Sequence, residues 1–359
     1  MYLDCTLVTA CFDLTKYNNK GRSLNDNINN MSSLLSVPCY LVIFTDINCV
    51  DKIKNIRNEL NILTHYIILD FTELEFYKYN DLIKKNREEF HPTKDERTCS
   101  ESHILCCSKF NFVLQIMELN PFNTTKFGWI DSNLGNNFSK ICINYENNMI
   151  LNILNNITDK FHIQILNVCD KKYKDIEFKK EMYNRYRWIV CGCLFTTGIE
   201  IGKKILNRLN EIFINTTEQG YGHGEEMFYL EILDEYYDDI EKSYGDYCMI
   251  LNNFINPTIG FNYIYYLIIR NYNKYCYYKE SYDCCKKILF QVENFKVSID
   301  YNIYFLILFE FYFSTLKYKK DEAKSLVEYI MNLISKNPFI KNEFDKNKEY
   351  YITQFNYAN

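Results

Sequence analysis

Residues 4–10 read DCTLVTA, a short apolar run rich in β-branched side chains, and this pattern predicts a buried strand. Two similar runs follow, YLVIFT at 40–45 and THYIIL at 64–69. Helical patterns over about residues 25–35 and 51–60 separate the three runs. Because strand–helix–strand units of this length form parallel sheets with right-handed crossovers, this region predicts an α/β fold.

The same alternation of strands and helices continues through the middle of the chain. Three further strands are predicted, at 127–130 (FGWI), 161–167 and 188–195 (WIVCGCLF). Helices are predicted over 100–119, 199–214 and 225–236. The sheet is therefore expected to be flanked by helices, and ligands are expected beyond the carboxyl ends of its strands.

The last hundred residues have a different character. From residue 261 onward the pattern is helical, without a strand signal. A charged helix start followed by an apolar face occurs at 277–290 and again at 318–331, which resembles the helix hairpins of tetratricopeptide solenoids. We therefore predict two domains, a catalytic α/β domain at 1–260 and a helical extension at 261–359, whose aromatic side chains offer a surface for a homodimer.

Composition excludes several functions. The chain has 359 residues, of which 47% are hydrophobic, and a net charge of −5, which argues against a nucleic-acid binder and against docking to an anionic membrane. The sequence shows no signal-peptide pattern, and no apolar run reaches the roughly 18 residues of a membrane span. The 15 cysteines are scattered along the chain, and none are spaced as the CxxC pairs typical of zinc sites. These features predict a reducing, cytoplasmic location.

A polar turn follows the predicted strand at 127–130. It consists of Asp131, Ser132 and Asn133. A hard divalent cation prefers carboxylate and carbonyl oxygens in a short arc, and an acidic pair spaced by one residue supplies them. Here the second position is Asn133, which offers a neutral oxygen, either as a weaker metal ligand or as a hydrogen-bonding group for ribose or sugar. The alternative is an Asx turn that only closes the strand.

A second acidic group, Glu225 and Glu226, follows a glycine-rich turn at 220–224. One of these carboxylates can act as the base that deprotonates an acceptor hydroxyl, or it can bind hydroxyls of a donor sugar. Charge at a helix N-terminus that complements the helix dipole is the structural alternative.

Three other residues are predicted to contact a nucleotide. Lys109, on the helix at 100–119, can neutralise phosphate, although it can equally lie on a solvated helix face. Thr9 and Phe12, after the first strand, can contact ribose and stack on a uracil base.

Short motifs spread over residues 4–258 resemble the HtrL/WlaTC (YibB-like) family of proposed GT-A glycosyltransferases. The matching segments are TLVTACFD at 6–13, VIFTD at 42–46, SKF at 108–110, NPF at 120–122, WID at 129–131, GEE at 224–226 and YGDY at 244–247. Two departures are Asn133 and Glu225, where the family commonly has an acid and Asp, respectively.

This resemblance implies a GT-A-like, Rossmann-type mixed sheet, a nucleotide-sugar donor and Mn²⁺ or Mg²⁺. Asp131 would be the metal ligand, with Asn133 as a weaker second ligand. The late segment of such enzymes often returns to the donor, which implies donor contacts for Asp246, Asn252 and Asn253.

The expected function is a metal-dependent hexosyltransferase that moves a sugar, most simply from a UDP-sugar, to a hydroxyl of a glycan, protein or small molecule. The first alternative is a non-catalytic module that binds a glycan or protein partner, and Asn133 favours it. The second is a nucleotidyltransferase, for which Lys16, Lys20 and Arg22 near the first strand would provide basic groups.

Overall fold

The computed structural model describes residues 4–90, 95–137, 148–221, 224–255, 263–295 and 300–358. Within these residues a seven-stranded sheet has the order β3-β2-β1-β4-β6-β5-β7. The strands are β1 (Cys5–Cys11), β2 (Tyr40–Thr45), β3 (Thr64–Ile68), β4 (Lys126–Ile130), β5 (Phe161–Ile165), β6 (Val190–Gly198) and β7 (Ile240–Tyr244).

The sheet is mixed. Strand β1 pairs parallel with β2 and with β4, and β2 pairs parallel with β3. Strand β6 runs antiparallel to both β4 and β5. All side chains of β1 and β6 are buried, as expected for strands covered on both faces. The predicted mixed α/β sheet is therefore confirmed.

Ten helices accompany this sheet in the described part of the chain. They are α1 (Leu24–Asn30), α2 (Ser32–Leu35), α3 (Ile47–Arg57), α4 (Asn80–Glu89), α5 (Ser100–Leu119), α6 (Met149–Asn155), α7 (Lys179–Tyr183), α8 (Ile199–Glu218), α9 (Tyr229–Glu235) and α10 (Ile250–Ile255). Helix α5 has the predicted bounds, because Asn120 ends it in the left-handed conformation and Pro121 follows. Helix α3 starts at the side chain of Asp46, which accepts from the backbone N–H groups of Asn48 and Cys49.

Three sequence predictions need correction. The single helix predicted over 25–35 is two short helices, α1 and α2. The helix predicted from residue 225 begins with a separate 3₁₀ turn, Glu225–Met227, before α9. Strand β7 was not predicted, because its sequence IEKSY carries two charged side chains and lacks the apolar run that marks a central strand. Polar residues of this kind are typical of an edge strand.

The chain divides into two compact units. The first comprises Met1–Leu166, Lys171–Ser243 and Tyr247–Ile255, and it contains the sheet. The second comprises Asn167–Asp170, Tyr244–Asp246 and Asn256–Asn359. The predicted domain boundary between residues 260 and 261 lies outside the described residues, so the exact division of the domains stays a prediction.

The second unit is helical beyond residue 263. Its helices are α11 (Tyr263–Lys274), α12 (Tyr278–Phe295), α13 (Tyr301–Tyr318), α14 (Lys320–Lys336), α15 (Pro338–Lys346) and α16 (Lys348–Phe355). Helix α13 packs against α11, α12, α14 and α15. The two repeated segments coincide with α12 and α14. The predicted all-α extension is confirmed, whereas its likeness to tetratricopeptide hairpins stays a prediction.

None of the helices in the described ranges combines the length and the apolar character that crossing a membrane requires.

Candidate active site

The ammonium group of Lys109 is the centre of a buried polar cluster. Its Nζ donates to Glu225 Oε1 at 2.5 Å, to the carbonyl oxygen of Gly192 at 2.8 Å and to Asp131 Oδ1 at 3.3 Å. The Lys109 side chain is 1% exposed. Since an ammonium has three N–H groups, the three acceptors use all of them. Lys109 therefore orders the two carboxylates and does not present a free ammonium to solvent.

Asp131 lies directly after β4, where the sequence predicted it. Its backbone N–H donates to the carbonyl oxygen of Cys193 at 2.8 Å, which extends the antiparallel pairing of β4 with β6 by one step. Its Oδ1 also accepts from Trp129 Nε1 at 2.5 Å. The Asp131 side chain is 35% exposed. One edge of this carboxylate is thus held by the protein while the side chain reaches solvent.

The antiparallel direction of β6 explains why Gly192 belongs to the cluster. Strand β6 starts at the edge of the sheet where β4 ends, so residues early in β6 lie beside Asp131. A side chain at Gly192 would collide with the cluster, because a Cβ there would lie 2.8 Å from Glu225 Oε1 and 3.2 Å from Glu226 Cγ. Glycine is therefore required at this position to admit the acidic pair.

Glu225 and Glu226 occupy different environments. Glu225 is 4% exposed and is paired with Lys109, whereas Glu226 is half-buried. The carboxylate of Glu226 accepts a hydrogen bond from the Tyr186 hydroxyl. The ring of Tyr186 lies against Gly224, where a Cβ would be 2.5 Å from Tyr186 Cε2. Both acidic residues thus face the cluster, but only Glu226 is partly accessible.

The pKa values of Lys109 and Glu226 are both raised, so both groups tend to keep their protons at neutral pH. Burial alone would lower the pKa of Lys109, but Asp131 and Glu225 raise it well above its ordinary value, so Lys109 stays charged. Burial and the nearby charge of Glu225 raise the pKa of Glu226 to about 8, while Lys109 and Tyr186 oppose that rise. At neutral pH the cluster holds a permanent cation beside a largely protonated carboxyl group.

A surface cavity of about 280 Å³ lies at the carboxyl ends of the parallel strands β1, β2 and β3. Asp13, Lys16, Asp46 and Asp70 line it. Asp46 Oδ2 accepts from the backbone N–H of Asp13 at 2.5 Å, so the turn after β1 is fixed to the start of α3. This is the edge where an open α/β sheet binds ligands.

Several predicted donor-binding residues lie elsewhere. Thr9 is fully buried within β1, and Phe12 is 2% exposed with its ring edge-on to Phe71. Asn252 and Asn253 are each 1% exposed, and Asn253 Nδ2 donates to Gln164 Oε1 at 3.0 Å. The donor contacts of these four residues stay predictions, and each would need its side chain to become accessible.

Three other predicted donor-binding residues have separate positions. Ser132 is 8% exposed, next to Asp131. Asn133 is exposed, and its Oδ1 lies 3.4 Å from Asn30 Nδ2. Asp246 belongs to the second compact unit. Their contacts with a donor also stay predictions.

The cluster contains three residues that the sequence did not predict as part of the site. Trp129 supports Asp131, and its ring centroid lies 5.5 Å from Lys109 Nζ. Gly192 and Tyr186 shape the acidic pair, as described above. A glycine in the interior of an apolar strand, as in WIVCGCLF, is a signal for close approach of another group, and it could have indicated Gly192.

The fit of this site to a divalent cation rests on few ligands. In the described ranges no group of three or more His, Cys, Asp or Glu side chains is arranged to hold a metal. In the described part of the chain, the hydrogen bonds from Lys109 and Trp129 both reach Asp131 Oδ1, so Oδ2 can serve as a ligand, and the exposed Asn133 offers an amide oxygen. Two protein oxygens suit a hard cation such as Mg²⁺, which commonly takes its other ligands from phosphate and water.

Of the comparisons with protein families, with curated proteins and with solved structures, the family comparison agrees with the motifs. A family model described as "Bacterial protein of unknown function (HtrL_YibB)" matches residues 3–152, which confirms the resemblance over that range. No curated protein matches the chain. Among solved structures, the apo crystal structure of mouse xyloside xylosyltransferase 1 matches with a TM-score of 0.38 and 11% identity, over 66% of this chain and 84% of that chain.

Proposed function

We propose that this protein is a glycosyltransferase that uses a nucleotide-sugar donor, with UDP as the carrier, and a hydroxyl group as the acceptor. The observation that carries the proposal is the cluster in which Lys109 joins Asp131 to Glu225 at the carboxyl edge of the sheet. The motif resemblance to a family of proposed glycosyltransferases supports the same chemistry, and the cavity at the carboxyl ends of β1–β3 provides room for a nucleoside at the same edge of the sheet.

Asp131 and Asn133 are the residues that would hold Mn²⁺ or Mg²⁺ together with the diphosphate of the donor. When bound, the cation would offset the charge that develops on the leaving nucleoside diphosphate. The chain itself fixes Asp131 through two hydrogen bonds to Oδ1, one from Trp129 Nε1 and one from Lys109 Nζ. A carboxylate fixed in this way does not need to reorganise when the ligand arrives.

Glu226 is the proposed base for the acceptor hydroxyl. It is partly accessible, and its raised pKa lies near the pH at which a general base works most effectively. Glu225 is buried and its Oε1 accepts from Lys109, so its role is to hold Lys109 and to raise the pKa of Glu226 by its charge. Deprotonation of the acceptor on the face opposite the leaving group corresponds to an inverting transfer.

The decisive experiment is donor turnover by the purified protein with a panel of UDP-sugars and Mn²⁺, measured as UDP release. Asp131→Ala should lower turnover by about 100-fold or more, because one removed transition-state contact commonly costs that much. Asp51→Ala, which removes an exposed Asp on α3, is the matched control and should retain full activity. Full turnover by a folded Asp131→Ala variant would show that Asp131 does not bind the catalytic metal.

The alternative of a non-catalytic glycan- or partner-binding module is favoured by one observation, the neutral and exposed Asn133. Such a module would bind no UDP and would release none from any UDP-sugar. A nucleotidyltransferase would instead release pyrophosphate from a nucleoside triphosphate. Measuring both products in the same turnover assay separates the three functions.

A further inference from the structure

We propose that Trp188 and Tyr186 form the acceptor subsite, and that the acceptor is a saccharide whose ring packs on Trp188 while one hydroxyl reaches Glu226. This inference rests on the proposed function of the same site and specifies its acceptor. It starts from the chain of contacts that leads from the buried cluster to the protein surface.

Tyr186 is the first part of that chain. Its hydroxyl donates to Glu226 Oε2, and its ring covers the backbone at Gly224. Any side chain at Gly224 would displace the ring, since a Cβ would lie 2.6 Å from Tyr186 Cζ. The Tyr186 side chain is therefore held between Gly224 and Glu226.

Trp188 continues the chain outward. Its ring centroid is 4.8 Å from that of Tyr186, with an angle of 47° between the ring planes. The side chain is 56% exposed, whereas Trp129, the other tryptophan of the sequence, is 3% exposed. A single exposed apolar residue needs no explanation by itself. Trp188 differs because its aromatic neighbour, Tyr186, is hydrogen-bonded to Glu226, the proposed catalytic base.

The backbone that carries these rings is held in place. Arg187, which lies between them, donates from Nε to the carbonyl oxygen of Met182 and from Nη2 to that of Glu181, each at 3.1 Å. Its guanidinium also packs on the Tyr173 ring, at 4.3 Å from the centroid. A fixed aromatic platform pays little conformational entropy when a ligand binds, which favours binding of a rigid ring.

The chemistry of this surface matches a sugar. A pyranose presents C–H groups on its face and hydroxyls at its rim, so it can lie against the indole face while a rim hydroxyl donates to a carboxylate. Around Trp188 the structure supplies one aromatic face, and next to Tyr186 it supplies the half-buried Glu226. A serine or threonine peptide would bring the hydroxyl without the flat apolar face that Trp188 would cover.

The first experiment measures binding without turnover. Methyl glycosides of glucose, galactose and N-acetylglucosamine are titrated into the full-length protein while tryptophan fluorescence is recorded. At least one glycoside should produce a saturable change in the wild type, and titration calorimetry, which does not depend on the indole, should show that binding is lost in Trp188→Ala and weakened in Trp188→Phe. Ile176→Ala removes another exposed apolar side chain, 69% exposed, and should leave the change intact.

The second experiment measures turnover with the glycoside that binds. Trp188→Ala should raise the acceptor KM by about tenfold, the size expected for losing one aromatic contact, with little change in kcat. Ile176→Ala, the control outside the subsite, should leave both the acceptor KM and donor hydrolysis at the wild-type level. This readout separates an acceptor contact from a general loss of structure.

The outcomes distinguish the two proposals. If wild-type protein hydrolyses a UDP-sugar but no glycoside changes its fluorescence, or if Trp188→Ala leaves the acceptor KM unchanged, the acceptor subsite is overturned and the transferase remains. A fluorescence response to a serine-containing peptide in place of glycosides would likewise overturn it. If glycosides bind at Trp188 but no UDP-sugar is turned over, the proposed transferase fails instead.

Discussion

The buried ammonium of Lys109 holds two carboxylates, that of Glu225, which is buried, and that of Asp131, which reaches solvent. A buried ion pair adds little net stability compared with an apolar core, but breaking it leaves an uncompensated charge in the interior. The main role of Lys109 is therefore to position Asp131 and Glu225, and its net contribution to the free energy of folding is small.

We predict that Lys109→Met lowers the free energy of unfolding by about 3–5 kcal/mol, because it leaves Glu225 buried without its partner. The double variant Lys109→Met with Glu225→Gln should recover a part of that loss, with a coupling of about 1 kcal/mol or more. Urea denaturation of the single and double variants measures both values.

The control for Lys109 is Lys20→Met. Lys20 pairs with Glu96 at 2.6 Å, but the two side chains are 59% and 73% exposed. A surface pair of this kind should change stability by less than about 0.5 kcal/mol. Equal effects of Lys109→Met and Lys20→Met would contradict the buried cluster.

Glu226 gives a prediction on pH. Its pKa is raised from the ordinary value of 4.5 to about 8, so the native protein keeps a proton that the unfolded chain has lost between these values. Stability should therefore fall as the pH rises through this window, and Glu226→Gln should reduce that fall. Thermal denaturation of both proteins over the window measures the difference.

The same group predicts the pH dependence of the reaction. If Glu226 is the base, kcat/KM for the acceptor should rise with pH and level off above about 8, where Glu226 is ionised. Glu226→Gln should lower kcat and flatten this profile. A rate that falls as the pH approaches 8 would instead assign Glu226 a role as a hydrogen-bond donor.

At the scale of elements, one buried arginine fixes the connection between α2 and β2. Arg57, the last residue of α3, donates to the carbonyl oxygens of Leu35 at 2.8 Å, Val37 at 2.5 Å and Cys39 at 2.8 Å. It is 1% exposed. The guanidinium thus satisfies buried backbone carbonyls of this connection, and the carbonyl of Val37 also accepts from the backbone N–H of Cys39 at 2.9 Å.

We predict that Arg57→Met destabilises the protein by about 2 kcal/mol or more, because the carbonyls of Leu35 and Cys39 lose the guanidinium and each such loss costs about 1 kcal/mol or more. The urea midpoint should drop accordingly. Arg97, whose side chain is 73% exposed and bonded to Asp95, is the matched control. Arg97→Met should leave the midpoint unchanged, and a similar drop in both variants would show that the carbonyl contacts of Arg57 are unimportant.

Several elements and site residues could be predicted from the sequence because their signals are local. Strand β2 and helix α5 have the predicted bounds, and Asp131 follows β4 as expected. Local patterns also indicated Lys109 and the acidic pair as candidates. The contacts of Gly192 and Tyr186 could not be predicted, since Gly192 reaches the cluster through the antiparallel pairing of β6, and Tyr186 bonds to Glu226, 40 residues further along the chain.

At the scale of the whole molecule, the mixed sheet is what assembles the site. The carboxyl ends of the parallel strands β1–β3 line the cavity near Asp46. The antiparallel direction of β6 places Gly192 beside the end of β4. Residues separated by more than a hundred positions, such as Lys109 and Glu225, meet there. The helical extension forms its own unit, and its proposed role as a homodimer surface is a separate question from the chemistry.

The central claim is that Asp131 and its neighbours bind a nucleoside diphosphate together with a cation. Isothermal titration calorimetry of UDP into wild-type protein, with and without Mn²⁺, tests it most directly. We predict one-to-one binding that requires Mn²⁺ and disappears in Asp131→Ala, while Asp51→Ala binds as wild type does. UDP binding of equal strength in wild type and Asp131→Ala, or no binding to wild type at all, would contradict this account.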